Sequence, residues 1–282
     1  MTMNSGSLVQ SKHQVSGAPP LLAMGDFGDW KNGVVNGLTK DSLNLLFRNM
    51  IPYIRIPNFA TPDECETLTR QASNHGFSPY RGVEPTINRI GNTVFEYDKI
   101  SKERYFEDVE KTIPVQNRIF SEAFNPLKRL VDLVQDETGV RPVIAKNRDG
   151  KPYYAGLIRR IENGTLIHVD YAPTEQNAWE VCDVISQLSW NLYLRVSDPS
   201  EGHTRIYNKQ WEIGHRRFRE GSYGYASDVV TGCESAAFEP TVGDLVIFNT
   251  RNFHAVESTK GERVTVTSAL GLMPDGRLVL WS

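Results

Sequence analysis

The chain has 282 residues, 39% of them hydrophobic and 23% charged, an ordinary globular composition able to fill a sizeable core. Its formal charge of −3 lacks the basic excess of a nucleic-acid binder, and no apolar run reaches the ~18 residues of a membrane span. Cys65, Cys182 and Cys233 share no metal spacing and the N-terminus has no signal-peptide layout, so a reduced cytoplasmic protein is expected, monomer or homodimer.

Residues 1–31 are rich in Ser, Gly, Asn and Pro without periodicity and read as a mobile tail. Residues 32–282 contain no internal repeat or strong linker and read as a single domain. Structure begins clearly with a short strand over 53–59. Thr61-Pro62-Asp63-Glu64 then forms a capping box with proline at the first helical position, and His75-Gly76 stops that helix near Asn74. Residues 102–137 carry helical periodicity broken by Pro114 and Pro126, with Leu127, Leu130, Val131 and Val134 in one apolar stripe.

From Tyr153 the pattern changes to short alternating runs over 156–161, 165–170, 187–196, 204–207, 245–249 and 263–270. Helices over about 32–150 followed by strands over about 151–282 imply a mainly β protein with supporting helices, an antiparallel sandwich or jelly roll.

Alternate residues of a strand project the same way, so His168-Val169-Asp170 can present a nitrogen and an oxygen to one metal ion. With six histidines and 34 acids, a His-x-acid triplet arises by chance roughly 0.7 times in such a chain, so the triplet alone decides little. The downstream order adds weight. Residues 239–248 read as a turn feeding a buried strand, and His254 follows six residues after Phe248. Two histidines and a carboxylate are the facial ligand set of non-haem iron(II). Arg263 and Thr265 share one face of the next strand, a guanidinium beside a hydroxyl suited to a carboxylate.

Taken together, His168-x-Asp170, Trp190-Asn-Leu-Tyr-Leu194, Glu201-Gly-His-Thr204, Pro240-x-x-Gly-Asp-Leu245, His254 and Gly261-Glu-Arg263 resemble the 2-oxoglutarate/iron(II) oxygenase superfamily, including its prolyl-hydroxylase-like members. The resemblance spans residues 156–270. It implies a double-stranded β-helix (a cupin-like jelly roll), with Fe(II), 2-oxoglutarate and O2 as cofactor and co-substrates. It also implies that His168, Asp170 and His254 hold the metal, and that Arg263, with Thr265, Tyr193 and Thr204, holds 2-oxoglutarate. One departure is His203, where family members often carry a second glycine; it reads as a loop histidine, with a pocket role as the alternative. Halogenases of the superfamily have a small residue at the carboxylate position, so Asp170 favours oxygen chemistry, hydroxylation first.

Strand 187–196 divides into Ser189, Asn191, Tyr193 and Trp190, Leu192, Leu194. The resemblance puts the first set inside, Ser189 and Asn191 towards substrate; the alternative is a reversed face, with Trp190 in the core. Asn163-Gly164 is a strong two-residue hairpin signal, and that register sets Arg159 opposite His168, inside, and Arg160 outside. A three-residue turn would exchange the two arginines. Residues 171–186 form a candidate lid or substrate-selecting loop, and the cluster 215–219 could attract an anionic substrate.

The substrate expected is a small molecule, an amino-acid derivative or specialised metabolite. A peptide hydroxylase of the prolyl type and a non-redox metal-binding β-helix remain the competing readings, and Arg263 argues against the latter.

Overall fold

A computed structural model describes residues 30–31, 33–98 and 100–282. The tail expected over 1–31 lies outside the described residues except for its last two. The strands carrying the architecture are β1 (Tyr53–Ile56), β2 (Ile87–Ile90), β3 (Leu157–Ile161), β4 (Ser186–Val196), β5 (Thr204–Gln210), β6 (Ser235–Phe238), β7 (Leu245–Asn249), β8 (Asn252–Val256), β9 (Arg263–Leu272) and β10 (Leu278–Trp281). The larger sheet runs β1-β7-β4-β9-β3-β2, with β10 on the far half of β9. The smaller sheet runs β6-β5-β8. This is the expected jelly roll.

Helices α1 (Lys40–Phe47), α2 (Pro62–His75), α3 (Lys102–Ser121) and α4 (Pro126–Thr138) precede the β-rich half. Thr61 Oγ1 accepts from the Glu64 amide at 3.2 Å, and Glu64 Oε2 accepts from the Thr61 amide at 2.9 Å, so the capping box closes both ways. The same Glu64 carboxylate receives both ends of Arg129 from α4, which holds its pKa down to about 2. A residue that starts one helix thereby ties down another.

Pro114 does not break α3, contrary to expectation. Its side is exposed, so the carbonyl of exposed Glu110, left without an amide donor, is free to meet solvent. Tyr105, Phe106 and Val109 before it and Ile119 and Phe120 after it are all buried, and that burial outweighs one lost backbone bond.

The larger sheet separates its faces by parity. Leu188, Trp190, Leu192 and Leu194 of β4, with Leu245, Ile247, Val264 and Val266, pack on Leu43, Leu46, Leu68, Ala72, Leu130 and Val134 of the helices. Ser189, Asn191 and Tyr193 therefore face inward, towards the smaller sheet. Opposite β4, β9 slips register between Val264 and Thr265, but against β3 its pairing is unbroken, Arg263 to Ile161 and Thr265 to Arg159. The extra residue is in β4, so Arg263, Thr265 and Thr267 keep one inward face.

Residues 165–170 are not a strand paired with β3, and the expected hairpin does not form. The segment instead crosses to the smaller sheet. The Thr165 amide donates to Val256 O at 2.8 Å, and His168 and His254 exchange backbone bonds at 2.9 Å each way. Gly164 serves this crossing: φ is +71°, and a β-carbon there would lie 2.6 Å from Val256 O. The glycine signal was a close backbone approach rather than a two-residue turn.

Gly164→Ala should lower stability by at least ~1–2 kcal/mol from backbone strain alone, with the contact adding to it. Thermal unfolding checks this, and an unchanged midpoint would show that the crossing does not need glycine.

Candidate active site

The site lies between the two sheets, where the crossing segment meets β8. His168 and Asp170 come from the crossing and His254 from β8; one ligand atom from each lies within 4.8 Å of the others. Asp170 Oδ2 is 3.6 Å from His254 Nε2 and 3.9 Å from His168 Nε2. Each imidazole is fixed from behind: His168 Nδ1–H donates to Leu166 O at 2.8 Å, and His254 Nδ1–H donates to Asn252 O at 2.9 Å. That tautomer leaves both Nε2 lone pairs facing the carboxylate. Tyr223 sets its ring edge-on to His168 at 5.3 Å, and Phe248 packs likewise on His254 at 5.1 Å.

Charge states suit metal binding. Burial, reinforced by neighbouring His254, pushes His168 down to about 4, so it is neutral near pH 7 as a ligand must be. Burial alone would raise the Asp170 carboxyl, but the facing histidines and the nearby Arg159 guanidinium outweigh it and hold its pKa below the usual carboxylate range. Asp170 lies deep in the fold yet its side chain is 49% exposed, because it faces a cavity. Two imidazoles whose Nε2 atoms face one carboxylate, with an open side towards that cavity, fit divalent iron.

A cavity of about 150 Å³ adjoins the cluster, its walls including Arg159, His168, Asp170, Glu175, Ser189 and Tyr223. A narrow extension beyond it is lined by Asn191, Thr204, His254 and Arg263, with Arg159, His168, Asp170 and Ser189 common to both. Arg263 is only 2% exposed. Its Nη2 donates to Tyr193 Oη and to Thr204 Oγ1, each at 3.1 Å, while Nε and Nη1 are buried without a partner. Thr265 Oγ1 is likewise buried and unpartnered. Neither Arg263 nor Arg159 makes an ion pair with an acidic side chain among the described residues. Burying such a cation is costly, and a carboxylate supplied by a ligand is the group that fits it.

Arg159 does face the site, though not for the reason read from sequence. Its pairing with inward Thr265 sets the face, and its Nη2 donates to Asn191 Oδ1 at 3.0 Å. Arg160 turns outward to Glu162 and Glu262 and stacks over Phe77. Ser189 sits 3.3 Å from Thr267 Oγ1 and from the Asn191 amide. His203 is half-buried beside Glu257, 3.7 Å away, and lines neither cavity. Residues 171–186 divide in function. Helix α5 (Ala172–Glu175) contributes to the cavity wall, whereas Trp179 is anchored edge-on to Tyr105 at 5.2 Å.

Glu175 and Gln176 fall within the loop read as a candidate lid or substrate-selecting element, whereas Tyr80, Tyr223 and Thr267 were not read as wall residues. Thr267 could have been found by extending the Arg263–Thr265 parity one step. The others lie outside the recognised strands and gave no periodic signal.

A jelly roll with a two-histidine, one-carboxylate cluster between its sheets and a buried, unpaired arginine defines a non-haem iron oxygenase of the 2-oxoglutarate class. Comparison with known proteins agrees. The chain belongs to the family described as carrier-protein-independent halogenase WelO5, whose model matches residues 35–281.

It is 37% identical over 216 residues to leucinostatins biosynthesis cluster protein S of Purpureocillium lilacinum, covering 71% of this chain and 87% of that one. It is 27% identical over 255 residues to the L-gamma-glutamyl-L-propargylglycine hydroxylase of Streptantibioticus cattleyicolor, covering 86% and 93%. The fold is shared with an N-substituted L-amino acid dioxygenase from Burkholderia ambifaria AMMD, at TM-score 0.58 and 15% identity over 86% of this chain and 91% of that one. The protein is a 2-oxoglutarate-dependent dioxygenase that takes Fe(II) and 2-oxoglutarate. No helix among the described residues is long and apolar enough to cross a membrane.

Proposed function

We propose that the enzyme hydroxylates an unactivated C–H of a small amino-acid derivative or related specialised metabolite. The balance is R–H, 2-oxoglutarate and O2 giving R–OH, succinate and CO2. The observation that carries this reading is Asp170. The family model bears the name of a halogenase, yet here the third ligand position holds a carboxylate, which occupies the place a halide would need. The relative from Streptantibioticus cattleyicolor is itself named a hydroxylase of an amino-acid derivative.

His168, Asp170 and His254 hold iron, and Leu166 O and Asn252 O keep the imidazoles aimed. Arg263 binds the distal carboxylate of 2-oxoglutarate through its unpartnered Nε and Nη1, with Tyr193, Thr204 and Thr265 around it. Iron, 2-oxoglutarate and O2 together supply the oxidising power for C–H cleavage. Arg159, Ser189 and Asn191 orient the substrate at the junction of the cavity and its extension. The test is product analysis with chloride and bromide present: oxygenated product and succinate are expected together, and a halogenated main product would overturn hydroxylation.

Asp170→Gly opens a halide position but removes a ligand. Hydroxylation should fall severely, with halogenated product at most a trace. Efficient chlorination would mean that the surrounding residues already control halide transfer.

A paired substitution tests the substrate arginine. Arg159→Gln should lower turnover about tenfold or more, the scale of one buried charge-assisted contact, while Arg160→Gln changes it little. Equal effects would remove Arg159 from substrate binding.

A further inference from the structure

The cavity wall supplied by α5 has chemistry that the metal and co-substrate sites do not use. Glu175 and Gln176 line the same cavity as Asp170 and Arg159. The Glu175 side chain is 21% exposed, and its ion pair is a long one, with Arg219 Nη2 at 3.5 Å from Oε1. Arg219 is itself divided: Nη1 donates to Tyr223 O at 2.6 Å, and the guanidinium stacks over Tyr225 at 5.0 Å. Asp170 and Asp98 face Glu175 with like charge. Gln176 Oε1 is buried without a partner. Tyr80, Phe95, Tyr223 and Trp281 add aromatic surface to the same walls.

We propose that Glu175 and Gln176 form the subsite for a protonated amine of the substrate, opposite in charge to Arg159, so that the cavity selects a free amino acid rather than an N-acylated one. This deepens the function proposed above and rests on it. Both residues line the cavity, where Glu175 has a stretched cation partner and Gln176 Oε1 has no partner. An ammonium donates to both, and aromatic walls favour a cation further. Burial pushes the Glu175 carboxyl up to about 8, so near pH 7 it holds its proton, and a bound ammonium would return it to the ionised form. Arg159, whose Nε is buried and unpartnered, is available to the substrate carboxylate. Hydrophobic contacts alone would not discriminate between an amine and its amide. A desolvated acid does, because the neutral amide leaves it unpaired.

The test is calorimetric titration of the anaerobic iron- and 2-oxoglutarate-loaded enzyme with aliphatic L-amino acids from alanine to norleucine, their N-acetyl forms and their methyl esters. The free amines and the amine-bearing esters should bind about tenfold or more tightly than the N-acetyl partners. Glu175→Gln should bring that ratio close to one, and Glu175→Asp should keep part of it; a merely structural Glu175 would weaken all probes alike. No preference for the amine, no binding by any amine-bearing probe, or an unchanged ratio in Glu175→Gln overturns the subsite. Product analysis with each probe that binds, chloride and bromide present, reads the oxygenase separately. A halogenated main product overturns the proposed function, whereas oxygenated product and succinate without amine preference overturn the subsite alone.

Discussion

Arg263→Ala is expected to weaken 2-oxoglutarate binding by about 30-fold or more. Arg263 is 2% exposed, holds Tyr193 and Thr204 with one nitrogen, and leaves two more without a protein partner. Truncating one member of a buried charge pair costs ~2–5 kcal/mol, much of it from stranding the other charge. The lower end of that range is about 30-fold in affinity. Arg263→Lys should fall between the two, keeping the charge but losing the planar fork. The measurement is the apparent affinity for 2-oxoglutarate in succinate release, with binding by calorimetry as a second readout. An unchanged value would transfer the role to Arg159, which also lines the extension.

His254→Ala should abolish both iron retention and product formation. It removes one of three protein ligands, so activity should fall by more than about 100-fold, the upper range for losing a mere supporting residue. His254 is buried, packs on Phe248 and pairs through its backbone with His168. Alanine keeps the backbone pairing and leaves a small void, so the protein should still fold, slightly less stable. Metal analysis and succinate release check the first claim, and far-ultraviolet circular dichroism checks the fold. His168→Ala should behave alike, and a His254→Ala protein that retains iron and full turnover would sink the ligand assignment.

Several elements follow from local chemistry alone. The Thr61–Glu64 capping box and the glycine stop at Gly76 needed only neighbours in sequence, and both form. Parity along β4 separated Trp190, Leu192 and Leu194 from Ser189, Asn191 and Tyr193, because alternation in a strand is fixed by its own backbone. Strand 245–249 was read at its observed bounds, since five consecutive buried residues between turn signals leave little choice.

The failures share another cause. Asn163-Gly164 asks for positive φ at the glycine, which it has, but what that conformation joins is settled by distant Val256. Pro114 removes one hydrogen bond, a local penalty overridden by packing on both sides of it. Strands β6, β8 and β10 were not delimited, and β8 carries His254. Short strands whose apolar pattern depends on which sheet covers them have no period of their own to read.

By itself the sequence determined the helix start at Thr61, the division of the long strands into two faces, and the order His168, Asp170, His254, Arg263. Each is set by backbone geometry or covalent spacing, which act over a few residues. Only the tertiary structure decided which strand faces the metal segment, that Arg159 turns in through Thr265, and that Glu175 and Gln176 share a wall with Asp170. Those outcomes depend on pairings between residues far apart in the chain, chosen by how the whole core packs. No local preference encodes them.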